Sequence, residues 1–490
     1  MSDGETVTID LSETSLAIIG QYSFSKCYAL AAIILPDTLK QIEIRAFYLC
    51  KSLIEITIPS SIVAIYADAF RGCSNLTSVK ILENESGNLS SVSEYAFASC
   101  SSLTSVELPE GIKAIGDYMF YNCKSLSSIT IPSTVKSIGL RAFDSCTNLA
   151  SVAFSEKINT TEIQERTFYG CTSLTSITIP EGITTMGKKV FYGCTALTTV
   201  DFPSTIETIG SEMFSGCSSL TSITFESDSN LTTIGDYAFS GCPMSEITIP
   251  SSVTSIGDYA FSECDLTSVT FKSTSSLTTI GSGAFWACPM SEITIPSNVT
   301  SIGDYAFQAC DLTSVTFEDE SSLTTIGKKA FSGCPMSEIT IPASVTSIKG
   351  YAFYNCKYLK SVTFKSNKLQ AMSDCIFLKC TNLVEITIPT TVTSIGSGAF
   401  EYCTSLTSIE IPEKVSSIGS SAFYDCTSLI SIEIPEDVTS IAYYAFYNCT
   451  SLTSVTYGCT KDAWDDISIG SNNTDLTNAT ITCTDGIYGE

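Results

Sequence analysis

The chain has 490 residues, and Asp and Glu outnumber Lys and Arg by 51 to 25, giving a formal charge of −26. That balance repels nucleic acid and anionic membrane surfaces. Histidine is absent, which removes the commonest general base and the commonest metal ligand together.

Residues 1–10 are polar and carry no charged-then-apolar leader, and nowhere does an apolar run approach the roughly 20 residues of a membrane helix. The reading is therefore a chain that is leaderless or trimmed of its signal, with no direct membrane insertion. Residues 1–20 are expected to form a partial entry coil. From Phe24 to Cys449 the chain repeats one signature nineteen times, a Phe followed three positions later by a Cys. The cysteines recur about every 23 residues, with spacings of 22 to 27. A period in that range predicts a solenoid whose coils extend one continuous core, here residues 21–456.

Residues 126–148, LSSITIPSTVKSIGLRAFDSCTN, stand for the repeat. Ile129 and Ile131 alternate with Ser128 and Thr130, the period of a half-buried strand. Pro132 lacks an N–H for a ladder and stops that strand. Val135 and Ile138 give a second inward pair, and Gly139 permits a bend. Phe143 and Cys146 are three apart, which predicts a short helical or 3₁₀ turn. Stacked at about 4.8 Å, nineteen such coils span about 90 Å, with like residues above like.

Residues 73–100 form the longest repeat, and the polar run at 82–90, LENESGNLS, is expected to bulge from the stack. Residues 242–287 and 288–333 are near copies of one 46-residue pair, and 334–379 is a divergent third. Within each pair a repeat opening Pro-Met-Ser-Glu-Ile-Thr-Ile-Pro alternates with one whose strand ends Ser-Val-Thr-Phe and lacks the Pro. From Tyr457 the signature stops, and residues 457–490 are expected to cap the array, with Trp464 over the last coil.

These motifs, among them ITIPSTVKSIGLRAFDSC at 129–146, ITIPSSVTSIGDYAFSEC at 247–264 and IEIPEKVSSIGSSAFYDC at 409–426, resemble the leucine-rich repeats of the BspA-like, or Treponema pallidum, class. The resemblance runs over about residues 11–457. It implies an α/β repeat, a curved solenoid of about 19 coils with parallel strands on the concave wall and helical or 3₁₀ turns on the convex side. It also implies a cell-surface or secreted protein that adheres to proteins or glycans of host or neighbouring cells. The Gly-x-Thr-x-x-x-Trp pattern at 458–464 is similar to that family's closing segment.

The cysteine column fits buried free thiols acting as small hydrophobes better than a disulfide framework or a metal array, because in-register neighbours point the same way and no Cys-x-x-Cys pairs occur. Cys459 and Cys483 lie outside the column and are a candidate pair. Candidate partner-binding positions are the outward strand residues Glu55, Thr57, Lys80, Glu246, Thr248, Glu292, Thr294, Glu338, Thr340, Glu385, Thr387, Glu410 and Glu433. The wall they form is small, polar and acidic, and fits an extended or basic partner. Tyr121, Tyr192, Trp286, Tyr354, Tyr424 and Tyr447 form a second row beside the signature Phe, read as half-buried packing over the turns or as an adhesive surface. No cofactor is expected, and no catalytic constellation is present: Asp465 with Asp466, and Asp319 with Glu320, sit in polar runs without a histidine, a phosphate loop or a catalytic cysteine motif. The expectation is a non-catalytic binding module, the alternative a structural spacer displaying another region.

Overall fold

The computed structural model describes residues 5–82, 89–155, 158–365 and 367–489. Most of the polar insertion at 82–90 lies outside the described residues. The chain divides into two compact units, Met1–Met244 and Ser245–Glu490, and one coil design recurs through each.

In Met1–Met244, Ser128–Ile131 pairs in parallel with Ser151–Phe154, and Ser176–Thr178, Thr199–Phe202 and Ser222–Phe225 form a three-stranded parallel sheet. Each coil carries a second strand of two residues, such as Ser137–Ile138, stacked on its counterparts in adjacent coils. In Ser245–Glu490 the same pairing joins Glu246–Ile249 to Ser268–Phe271 and Glu292–Ile295 to Ser314–Phe317. Farther on, Glu338–Ile341, Ser361–Phe364 and Glu385–Ile386 share a sheet. The alternation reads as expected. Ile129, Ile131, Val135 and Ile138 are buried, while Ser128 and Thr130 are exposed. Burying one such aliphatic side chain stabilises by about 1.5–3 kcal/mol, and every coil repeats the set.

Gly139 serves a purpose other than a bend. A Cβ there would lie 2.6 Å from the amide nitrogen of Asp117 in the preceding coil, so glycine allows close approach of the two backbones.

The Ala-Phe-x-x-Cys segments are tight turns, not helices. In the segment 45–50 the amides of Ala46, Tyr48 and Cys50 donate to the carbonyls three residues earlier, as a 3₁₀ turn would. The alternate amides of Arg45, Phe47 and Leu49 donate instead to Ala67, Ala69 and Arg71 of the next coil, at 2.8–3.1 Å. Helical backbone cannot aim every second N–H sideways. Arg45 (φ 55°) and Leu49 (φ 60°) make it possible by adopting the left-handed conformation. The same two positions recur with positive φ in later coils, for example Tyr305 and Ala309, or Tyr351 and Asn355. Among the described residues, helix occurs only at Lys461–Asp465 and Thr474–Asn478.

The signature Phe side chains stack face to face inside the turns. Phe285–Phe307 and Phe307–Phe331 have ring centroids 5.5 and 5.4 Å apart and nearly parallel planes, and all three rings are fully buried. Beneath them the column cysteines are buried from Cys50 to Cys449, while Cys27 in the first coil is exposed.

At the start, Val7–Asp10 pairs in parallel with Leu30–Ile34. After Ser454–Tyr457 the strand Ser468–Ile469 stacks on Ser440–Ile441, and Thr480–Cys483 stacks on Ser454–Tyr457 before turning back through Gly486–Ile487. The closing residues thus add one further, irregular coil.

Candidate partner-binding surfaces

All thirteen wall positions are exposed and lie on strands or at a strand edge. Their register gives the wall its chemistry. Glu55 and Thr57 sit beside Ser78 and Lys80. Glu246 and Thr248 sit beside Ser268 and Thr270, and Glu292 and Thr294 beside Ser314 and Thr316. Ser361 separates Glu338 from Glu385, and Thr363 sits beside Thr340. Thr387 bridges to Glu410, which faces Glu433 directly. Two carboxylates opposed across adjacent strands repel each other, so this pair costs stability unless a cation lies over it.

A cleft opens at the end of the strands in each unit. In Ser245–Glu490 it has a volume of about 640 Å³ and is lined by Phe317, Glu318, Asp319, Glu320, Glu338, Pro342 and Lys365, among others. It forms because the strand Ser314–Phe317 runs into the longer loop after Phe317, where the next coil turns at Pro342. A smaller cleft of about 380 Å³ in Met1–Met244 is lined by Pro180, Glu181, Asp201, Phe202 and Glu226. Each cleft is lined by at least three carboxylates.

The turn side is built differently. Tyr121, Tyr192, Trp286, Tyr354 and Tyr424 are half-buried and Tyr447 is exposed. Tyr192 stacks on Tyr169 at 5.0 Å and Tyr447 on Tyr424 at 5.1 Å, whereas Tyr121 and Tyr354 meet Tyr118 and Tyr351 edge-on. Cations thread this row. Arg45 lies 5.4 Å from the Tyr48 ring centre, Arg71 4.8 Å from Tyr95 and Lys189 5.4 Å from Tyr192. Arg45 and Arg71 both reach Asp68 at 3.0 Å, and Lys188 and Lys189 both reach Glu212. Sequence reading placed the tyrosines here. It missed their basic partners, whose signal is an Arg or Lys flanking the Ala-Phe pair or its equivalent, before it at Arg45 and Lys189 and after it at Arg71.

The thiols point inward. Column thiols from Cys50 onward donate the S–H to the carbonyl of the signature Phe one coil earlier, as in Cys288 to Phe261 and Cys310 to Phe285 at 3.0 Å. Burial pushes the Cys217, Cys310 and Cys356 thiols up to about 12. Neutral at physiological pH and shielded, they are poor nucleophiles and poor metal ligands. Among the described residues no group of three or more Cys, Asp or Glu is arranged to hold a metal ion, and no helix is long and apolar enough to cross a membrane.

In the closing residues Trp464 is buried, edge-on to Tyr457 at 5.3 Å. Asn473, which sequence reading did not single out, is 3% exposed. Its Oδ1 accepts the Phe446 amide at 2.9 Å, and its Nδ2 donates to Ala442 and Gly470. Ser471 likewise supplies a carbonyl to the Tyr444 amide. The equivalent amides of earlier coils, such as Ser421 and Phe423, reach the next coil. Cys459 is half-buried, Cys483 is buried, and both carry free thiols.

A family model described as BspA type leucine rich repeat region matches six times, over residues 5–87, 84–162, 158–268, 232–360, 278–404 and 370–483. Among solved structures the chain is similar to a leucine rich cell surface protein from Faecalibacterium prausnitzii, at 28% identity over 73% of this chain and 86% of that one, with a TM-score of 0.36. It is also similar to a leucine-rich repeat protein from Bacteroides ovatus, at 26% identity over 91% of this chain and 87% of that one, with a TM-score of 0.43. A third likeness is to the pneumococcal vaccine antigen PcpA, at 20% identity over 74% and 89%, with a TM-score of 0.42. No curated protein matches the chain.

Proposed function

Since the chain belongs to the BspA-type leucine-rich repeat family, we propose that it is a non-catalytic binding module that recognises proteins or glycans of host or neighbouring cells from a cell-surface or secreted position. The observation that carries this reading is the strand wall, where small hydroxyls and carboxylates stand exposed at the same two positions of successive coils. A regular, open polar surface of this kind suits an extended partner laid across many coils. The chemistry of the chain supports the non-catalytic part, since it has no histidine and its column thiols from Cys50 to Cys449 are buried.

The test is binding of the purified chain to a panel of host matrix proteins, glycans and intact cells, repeated with two variants. Replacing Thr248, Thr294 and Thr340 together by Lys is expected to weaken binding at least tenfold, and replacing Tyr121 and Tyr447 by Ser to leave it within twofold. The reverse pattern would move the site to the tyrosine row. Binding to no member of the panel would favour the spacer, in which exchanging the near-copy repeats 242–287 and 288–333 changes nothing.

A further inference from the structure

Building on that binding role, we propose that the strand wall of Ser245–Glu490 takes a polyproline II segment carrying Lys or Arg at every third residue. The first outward strand position alternates along this unit. Glu246, Glu292, Glu338 and Glu385 occupy every second coil, and Ser268, Ser314 and Ser361 fill the coils between. At about 4.8 Å per coil the carboxylates recur about every 10 Å. All four are exposed, and among the described residues none is engaged in an ion pair. Three of this unit's lysines are held on the turn side, where Lys328 and Lys329 lie against Tyr351 and Lys379 against Tyr354 and Tyr402, while Lys365 lines the cleft beside Glu338. The acidic row is open to a partner.

The spacing selects the partner's backbone. A β-strand covers about 10 Å in three residues but turns alternate side chains to opposite faces, so residues three apart cannot both reach the row. An α-helix returns to one face after seven residues, about 10.5 Å, and falls almost 3 Å out of step over the three intervals. Polyproline II advances about 3.1 Å per residue with three residues per turn, so every third side chain lies on one face about 9.3 Å from the last, a drift of about 1 Å over the row. Its carbonyls make no internal hydrogen bonds and need donors. The hydroxyls of Thr248, Thr294 and Thr340 stand one step along the same strands, small enough for a chain to lie flat. The 640 Å³ cleft beside Glu338 adds Glu318, Asp319 and Glu320, and at its edge the Ser344 hydroxyl is shielded from solvent without a hydrogen-bond partner. Within Met1–Met244 the run from Ser128 to Ser222 serves as an internal control, because Ser128, Ser151, Ser176, Thr199 and Ser222 occupy the corresponding positions.

The test uses the full chain and two proline-rich peptides of identical composition with four lysines, spaced every third residue in one and every second in the other. Fluorescence anisotropy at low salt is expected to show the three-residue peptide binding at least tenfold tighter. The fourfold variant Glu246→Gln, Glu292→Gln, Glu338→Gln, Glu385→Gln should abolish that preference. A second variant, Glu292→Ser with Ser314→Glu, keeps charge constant and moves one carboxylate by one coil; it should weaken the three-residue peptide several-fold, with the circular dichroism spectrum unchanged. Equal binding of the two peptides, binding of neither, or indifference to either variant overturns the proposal. If the chain still binds members of the host panel when the peptide test fails, the binding module stands and only this partner falls.

Discussion

The two walls of each coil share one device, a backbone ladder to the neighbouring coils, yet they use their side chains in opposite ways. On the turn wall almost everything is spent internally. Phe rings stack, thiols bond to Phe carbonyls, tyrosines stack on tyrosines, and Arg and Lys are held by rings and by Asp68 or Glu212. On the strand wall the inward residues make the core and the outward ones stand exposed. The lesson is that repetition has different causes on the two sides. Turn-wall residues repeat because each must fit the copy above and below it, whereas the strand-wall carboxylates repeat while exposed to solvent, without a packing demand of that kind.

The largest effect that would sharpen this contrast is alkaline. The column thiols are raised by burial, to about 12 for Cys217, Cys310, Cys356 and Cys449. A group raised on folding stabilises the fold below its unfolded pKa and loses that contribution as pH rises toward the folded value. The window is therefore pH 9 to 12. Each buried thiol removes about 1.4 kcal/mol per pH unit there. Thermal melts followed by circular dichroism should hold steady from pH 7 to about 8.5 and then collapse; a flat profile through pH 11 would contradict the buried column. Next in size is Phe307→Ala, which opens a gap in the ring stack and should cost about 3–5 kcal/mol. Hydrogen exchange should accelerate in the flanking coils, while the wall substitution Thr316→Ala stays within about 0.5 kcal/mol. Equal costs at the two sites would erase the contrast.

Asn473→Ala removes the acceptor for the Phe446 amide and two donors, and should cost about 2–3 kcal/mol, read as faster exchange confined to residues 440–457. The smallest effect is a gain. Ala309 holds φ 59° on the turn wall, and Ala309→Gly should raise stability by about 0.5–1 kcal/mol. A loss there would mean that the turn relies on side chains more than on backbone.

What could be read from sequence follows the same division. Ile-x-Ile alternation, the stop at Pro132 and the recurrence of Phe each report a local demand that the chain writes out, so the coil, the core and the outward columns were legible. The turn conformation was not. Left-handed positions are usually signalled by glycine, and Gly72, Gly193 or Gly283 do sit there, but in other coils the same positions hold Tyr305, Arg45 or Lys379, because three amides bonded to the next coil outweigh about 1 kcal/mol of strain per residue. Phe and Cys three apart then imitate a helical turn. Asn473 was illegible for a related reason: its value lies in meeting amides nearly thirty residues away, with no periodic trace in its own segment.

The turn amides that bond between coils, such as those of Arg45, Phe47 and Leu49, donate from one coil to the one that follows. A coil therefore has a donor face and an acceptor face, and the contact between coils is head-to-tail, the kind that does not close on itself. Such a contact can add copies without limit, which is how whole coils, singly or in pairs, enter or leave the array in frame while half coils cannot. After the last regular coil the Asn473 Oδ1 and the Ser471 carbonyl stand in for a following coil's acceptors, taking the amides of Phe446 and Tyr444.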